Sequence, residues 1–315
     1  MFLKRISITP MSEINAIELT QVSKEYPGVN AVDNISFNVG LGEVHGFLGP
    51  NGAGKSTTMR MITGLIPQSS GEIKIFGKET LSHKEVQNHV GFLPEQPPLY
   101  LNMKVIDYLN FVLELHGFKE TEYRDLAIER CGLEKNLGRL IGNLSKGFKQ
   151  RVGIAATLVH NPKLVILDEP TVGLDPAAID EIRNLILSLK ESHTIFLSTH
   201  HLHEVELLCS HITVINQGKI LRSGTLEQIK EEFNPRQTIL MEIPNWDDKW
   251  KSSFNYPELV IERNSGLVTF STTEKNDIRA ELCRTLVNSG ADLLSLKKEK
   301  AHVEDIFRSL TEDAR

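Results

Sequence analysis

The amino-acid sequence predicts an α/β protein: a large domain with a mixed core sheet, followed by a small α+β domain. Three observations carry this. Residues 164–167 and 194–198 are short apolar runs, the composition of strands buried on both faces of a parallel sheet. Residues 43–48 read as a buried strand, pass through a glycine-rich stretch and enter a helical pattern that stops at Gly64. Beyond Asn234 and Pro235 the pattern runs β-α-β-β-α-β, the order of a ferredoxin-like sandwich.

Taken in order, residues 1–13 carry no clear pattern and are expected as a weakly ordered extension. Lys4 and Arg5 interrupt the apolar core that a leader peptide needs. Residues 14–23 alternate in part, 24–28 read as a turn, 35–39 alternate cleanly, and 71–77 are closed by glycines. Together they predict a small antiparallel sheet. Residues 57–63 form the helix after the glycines, and 90–93 a short strand cut off by Pro94, Pro97 and Pro98. From about 97 to 160 the spacing is helical, as in Ile106, Leu109, Val112 and Leu113, which predicts a helical subdomain inserted between core strands. A helix at 176–190 has Pro176 in its first turn, and another follows at 201–208. Residues 212–215 and 219–221 flank Asn216-Gln217-Gly218, a hairpin signal, and 226–233 closes a domain expected to span 14–234.

The second domain, 235–315, is expected as strand 238–242, helix 246–254, strands 259–262 and 267–270, helix 276–288, strand 292–297 and a last helix at 303–310. Trp246 and Trp250, four apart, read as packing residues in preference to a sugar platform. With 12 basic and 14 acidic residues this domain is no basic nucleic-acid tail. The whole chain carries a net charge of -6, so no nucleic-acid partner and no lipid anchor are expected. No apolar run reaches the length of a membrane span. Cys131, Cys209 and Cys283 lie far apart and read as thiols in a reducing compartment. A cytoplasmic protein is expected; work at a membrane would need another chain to supply the spans.

The chemistry begins at Gly49-Pro50-Asn51-Gly52-Ala53-Gly54-Lys55-Ser56-Thr57, which has the spacing of a phosphate-binding loop. Glycines let backbone N–H groups converge on one point, and the helix N-terminus adds partial positive charge there. Lys55 is expected on the β- and γ-phosphates, Ser56 on Mg2+, and the Thr57 N–H on a phosphate oxygen. The strand at 164–167 delivers Asp168 and Glu169 to its carboxyl end, where open α/β sheets bind ligands. Asp168 is placed to hold Mg2+, and Glu169 to polarise a water in line with the γ-phosphate.

Between these stretches lies Leu144-Ser145-Lys146-Gly147-Phe148-Lys149-Gln150-Arg151, at the start of a helical pattern. With it, over about residues 16–233, the chain resembles the nucleotide-binding subunit of an ATP-binding cassette (ABC) transporter. The resemblance implies the P-loop NTPase fold of an ABC cassette, with a core mixed sheet, a small antiparallel β subdomain and a helical subdomain. It implies ATP and Mg2+ as cofactors. The family signature Leu-Ser-Gly-Gly-Gln survives at Leu144, Ser145 and Gly147, while Lys146 and Phe148 depart from it. Phe148 lacks the amide of the family's Gln, and Lys146 is read as solvated in preference to a charge contact.

By the same resemblance, Tyr26 stacks on adenine, Gln96 reaches the metal or its water, Asp175 lies in the loop between subunits, and His200 is the switch histidine. His200, His201, His203 and Glu204 could also be read as a metal cluster, but neighbouring histidines point to different helix faces. Two subunits are implied to pack head to tail around ATP, as a homodimer or a heterodimer. They would drive a separate integral membrane permease from its cytoplasmic face. The tail resembles that of exporter-type subunits working with ABC-2 permeases. The rival is a soluble ABC ATPase acting on a ribosome or DNA.

Overall fold

The structure is a computed structural model that describes residues 15–79, 88–233, 237–254, 256, 259–264, 266–272 and 277–299. Residues 1–13, the expected last helix at 303–310 and His302 lie outside the described residues. The chain divides into two compact units, Met1–Leu226 and Glu227–Arg315.

The first unit is built on two sheets. The larger has six strands: β3 (Val44–Leu48), β6 (Val90–Leu93), β7 (Leu164–Asp168), β8 (Thr194–Thr199), β9 (His211–Asn216) and β10 (Lys219–Thr225), ordered β10-β9-β3-β8-β7-β6. β9, β3, β8, β7 and β6 run parallel, and β10 returns antiparallel along β9. Every residue of β3, β7 and β8 is buried, which is why these runs lack alternation in the sequence. The smaller sheet is antiparallel, β2-β1-β4-β5, from β1 (Ile17–Tyr26), β2 (Val29–Val39), β4 (Ser70–Ile75) and β5 (Lys78–Glu79). β1 and β2 run longer than their alternation suggests, because register shifts between them break the period of two. Tyr26, expected in a turn, pairs with Val29 across the hairpin.

One apolar core joins the sheets. Phe37 of β2 stacks on Phe47 of β3 at 5.4 Å and on Phe196 of β8 at 5.8 Å. Each such ring, once buried, contributes about 2–3 kcal/mol. The helical stretch is α2 (Val105–Leu115), α3 (Glu122–Arg130) and α4 (Lys146–Leu158), with short 3-10 turns between α3 and α4. The helix after the glycine-rich loop, α1 (Lys55–Ile62), starts earlier than expected, at the lysine itself. α5 (Pro176–Leu189) follows β7, and α6 (Leu202–Leu208) follows β8.

The second unit contains α7 (Leu226–Phe233), which spans the division, then β11 (Gln237–Glu242), β12 (Val260–Asn264), β13 (Leu267–Thr272), α8 (Arg279–Asn288) and β14 (Ser295–Glu299). The sheet order is β12-β13-β11-β14, all antiparallel. Counting strands along the chain, this is the arrangement of a ferredoxin-like sandwich. The expected first helix is instead a 3-10 segment, Asp248–Ser253, capped by the Asp247 carboxylate on the Lys249 N–H at 3.0 Å. Trp246 is buried against Phe270, with ring centres 5.9 Å apart, and meets Trp250 edge-on. These tryptophans are therefore core.

Candidate functional site

β3 brings the chain to Gly49 at the carboxyl edge of the larger sheet. A Cβ on Gly49 would collide with the Ile215 carbonyl oxygen. Gly54 sits at φ +108°, and a Cβ there would stand 2.7 Å from the Ala31 carbonyl oxygen. Both glycines that define the motif are thus forced by packing and by backbone shape. Gly54 caps α1, whose first turn carries no acidic residue, so its positive end is uncompensated.

Lys55 follows, buried. Its ammonium donates to the Gly49 and Pro50 carbonyls at 2.7 and 3.2 Å and stands 3.1 Å from Glu169 Oε1. The second carboxylate oxygen, Oε2, meets His200 Nδ1 at 2.8 Å. Glu169 has φ +48°, the left-handed region that a side chain rarely occupies. The backbone is held there by two bonds from its N–H, to Ser198 O at 3.2 Å and Ser198 Oγ at 2.9 Å. The same serine donates to Asp168 Oδ1 at 2.6 Å. Asp168 and Glu169 are both buried, and β8 orients both through one hydroxyl.

His200 follows β8, and its ring packs on that of His201 at 4.0 Å. Behind them lies Glu204, buried, which accepts from the hydroxyls of Thr171 and of Thr199 (2.8 Å). Thr199 Oγ1 in turn accepts from the His201 N–H at 3.0 Å. Glu204 is therefore a brace for the loops after β7 and β8. Among the described residues no group of three His, Cys, Asp or Glu is placed to hold a metal ion.

Gly54, Lys55, Glu169 and His200 line a cavity of about 550 Å3 that also takes in Asn51, Gly52, Ser56 and Thr57. Its far wall is the start of β2, at Val29, Asn30 and Ala31, with Gln217 and Gly218 of the β9–β10 turn. Tyr26 stands in the same hairpin, exposed, with the Lys24 ammonium 5.2 Å from its ring centre. From the loop after β6 the cavity takes Glu95, while Gln96, also exposed, does not line it. Sequence reasoning missed Glu95: the two residues are adjacent in a proline-rich loop, and no periodicity there says which one turns inward.

Leu144, Ser145, Gly147 and Asp175 do not line this cavity. Ser145 caps α4, its hydroxyl accepting from the Phe148 N–H at 3.3 Å. Asp175 caps α5, accepting from the Ala178 N–H at 2.9 Å. The chain thus carries a phosphate-binding cavity and, apart from it, a second helix N-terminus bearing the signature residues.

A family profile described as "ABC transporter" matches residues 32–172. The bacitracin transport ATP-binding protein BcrA of Bacillus licheniformis is 35% identical over 305 residues, which cover 93% of this chain and 96% of that one. The chain belongs to the ABC transporter ATP-binding proteins. The linearmycin resistance ATP-binding protein LnrL of Bacillus subtilis is 30% identical, covering 94% of this chain and 98% of its own length. Among solved structures, the dimeric cassette MJ0796 bound to ADP and phosphate superposes with TM-score 0.61 at 26% identity. That match covers 67% of this chain and 98% of the other.

As an ABC ATPase, this chain binds ATP or ADP and couples ATP hydrolysis to transport. Cassettes of this family dimerise and work with membrane permease components. No helix among the described residues is long and apolar enough to cross a membrane. The donor types fit a hard divalent cation: the Ser56 hydroxyl and the Glu95 carboxylate line the cavity, and the Asp168 carboxylate, held by Ser198, directly precedes Glu169.

Proposed function

We propose that the chain hydrolyses ATP in a closed dimer and so drives an ABC-2 type export permease. The placement of Glu169 carries the reading. A carboxylate clamped between the loop lysine and His200, at the mouth of a glycine-rich loop, is positioned for general base work.

Backbone N–H groups of the loop and the Lys55 ammonium bind the phosphate chain. Glu169 takes a proton from the attacking water, whose oxygen bonds to the γ-phosphorus as the bond to the β-bridging oxygen breaks. ADP and phosphate leave. His200 Nδ1 holds the carboxylate in line and turns toward the γ-phosphate when Lys55 is drawn onto it. Ser56, Asp168 and Glu95 would hold Mg2+, which when bound neutralises phosphate charge. The exposure of Tyr26 in the hairpin that borders the cavity supports adenine stacking.

Ser145 and Gly147 at the start of α4 bind the γ-phosphate of the nucleotide on the opposite subunit, and Asp175 lies between the two sites. That Ser145 and Gly147 lie outside the cavity of their own chain supports this division. ATP as the shared ligand favours the closed pair, and hydrolysis reopens it. A homodimer is the simplest assembly. The ABC domain spans 14–234 and the C-terminal domain 235–315, the latter stabilising the pair.

The permease docks from the cytoplasmic face of the membrane, beside the loop after β6. A cavity of about 400 Å3 walled by Phe92, Tyr100, Tyr108 and Phe111 supports that place. The cargo is an antibiotic-class compound, by analogy with relatives named for bacitracin and linearmycin. The reading is tested by Glu169→Gln, which keeps ATP affinity and loses turnover by roughly two or more orders of magnitude. Turnover unchanged by the substitution would remove Glu169 from the mechanism.

A further inference from the structure

The signature stretch departs from the family pattern at Lys146 and Phe148, and both side chains have neighbours within their own chain. Lys146 opens α4, and its ammonium lies across Gly173, where a Cβ would collide with Nζ. Gly173 also sits at φ +67°, a backbone shape in which a side chain is strained. The next residue, Gly147, faces α5: a Cβ on it would stand 3.0 Å from that of Ala178. The Phe148 ring lies under the Arg151 guanidinium, 5.2 Å from the ring centre. That guanidinium pairs with Glu181 of α5 and donates to the Cys131 carbonyl at 3.4 Å.

Three successive signature residues thus meet successive points between Gly173 and Glu181, Phe148 through Arg151. That segment continues the loop that leaves Glu169. The Val172 N–H donates to the Glu169 carbonyl at 3.2 Å, and the Leu174 N–H to the Thr171 carbonyl at 3.3 Å.

We propose that Phe148 is a positioning residue acting within its own subunit through Arg151, fastening the signature helix to the segment that continues the loop carrying Glu169. The proposal rests on the ATPase reading and deepens it. The signature face closes over the partner's nucleotide, so a rigid link from that face to Glu169 makes each subunit's hydrolytic loop respond to occupancy of the opposite site. A Phe148 ring held beneath Arg151 is committed to its own subunit and does not replace the amide of the family's Gln on nucleotide. Stacking of a guanidinium on a ring, with a carboxylate on the guanidinium, is directional, and direction is what a strut needs.

The test compares Phe148→Ala, Glu181→Ala and their double variant for turnover at saturating ATP and for ATP affinity. Glu181 has a side chain 57% exposed, so its removal leaves the fold intact. Thermal unfolding of each protein checks that the fold survives. A strut predicts that each single substitution lowers kcat roughly three- to tenfold with ATP affinity unchanged. The double variant is then no worse than the worse single one, and Phe148→Tyr, which keeps the ring, restores turnover. A nucleotide contact predicts the reverse: Phe148→Ala weakens ATP affinity and ATP-driven dimerisation while Glu181→Ala does nothing. That result, additive losses, or no effect of either single substitution on kcat would overturn the proposal. Absence of turnover in the unaltered protein would strike at the ATPase reading itself.

Discussion

At the scale of single residues, the site concentrates both strain and charge. Glu169 holds a left-handed backbone at a cost on the order of 1–3 kcal/mol, repaid by Ser198, which fixes its N–H and the neighbouring Asp168 together. Two carboxylates, Glu169 and Glu95, line the cavity, and that of Asp168 is held beside Glu169 by Ser198. Glu95 brings a formal charge where the sequence reading put the neutral amide of Gln96, and a charged oxygen binds a hard cation more tightly than an amide does. Glu95→Ala should therefore raise the Mg2+ concentration for half-maximal turnover roughly tenfold, with a smaller rise for Glu95→Gln. A metal titration of the ATPase rate measures this. The same titration on Gln96→Ala separates the neighbours: a shift there and not at Glu95 returns the role to Gln96. The loop residues 49–57 were legible because phosphate binding dictates their type and spacing at once. Glu95 was not, since two polar neighbours after a proline differ only in which way the chain turns.

At the scale of elements, burial decides what a sequence reveals. The core strands stood out as apolar runs because β3, β7 and β8 are covered on both faces. The length of β1 and β2 did not, because bulges reset the alternation. The 3-10 segment at Asp248–Ser253 was read as a helix from its spacing; the Asp247 cap and the packing of Trp246 hold it in a tighter turn. Between β6 and the helices lies a feature no pattern signals. His160, buried, stacks on His116 with ring centres 3.8 Å apart, and its Nε2 meets the Val90 carbonyl at 3.2 Å. Burial, with the His116 ring next in effect, pushes its pKa down to about 4. A histidine kept neutral in the folded state and free to protonate when unfolded stabilises the fold fully only above its unfolded pKa. Stability is then lost as pH falls from about 6.5 to about 4, by on the order of 3 kcal/mol from this group. His45, buried, is also shifted down by burial and adds in the same direction. Melting temperatures of the protein and of His160→Phe across pH 7 to 4 test this. The variant should show a visibly flatter decline, and parallel curves would show that His160 contributes nothing to acid sensitivity.

At the scale of the whole molecule, the proposed closed pair would give each chain half of two sites. Lys55, Ser56, Glu169 and His200 line one cavity, whereas Ser145 and Gly147 sit at another helix N-terminus outside it. In the proposed head-to-tail pair a ligand bridges both halves, and two-fold symmetry would complete two sites at once. The sequence implies that division only through resemblance to the family, because motif spacing along one chain cannot say that two motifs meet across a boundary. If the pair is a homodimer, purified Glu169→Gln protein should double in mass by light scattering when MgATP is added and stay monomeric with MgADP, since only the γ-phosphate reaches the partner's helix. The loss of one carboxylate also lessens repulsion at the closing interface, so the variant traps the pair better than the unaltered protein, whose turnover reopens it. A mass that stays monomeric under MgATP, in a protein that still binds the nucleotide, would mean that the second signature face belongs to a different chain.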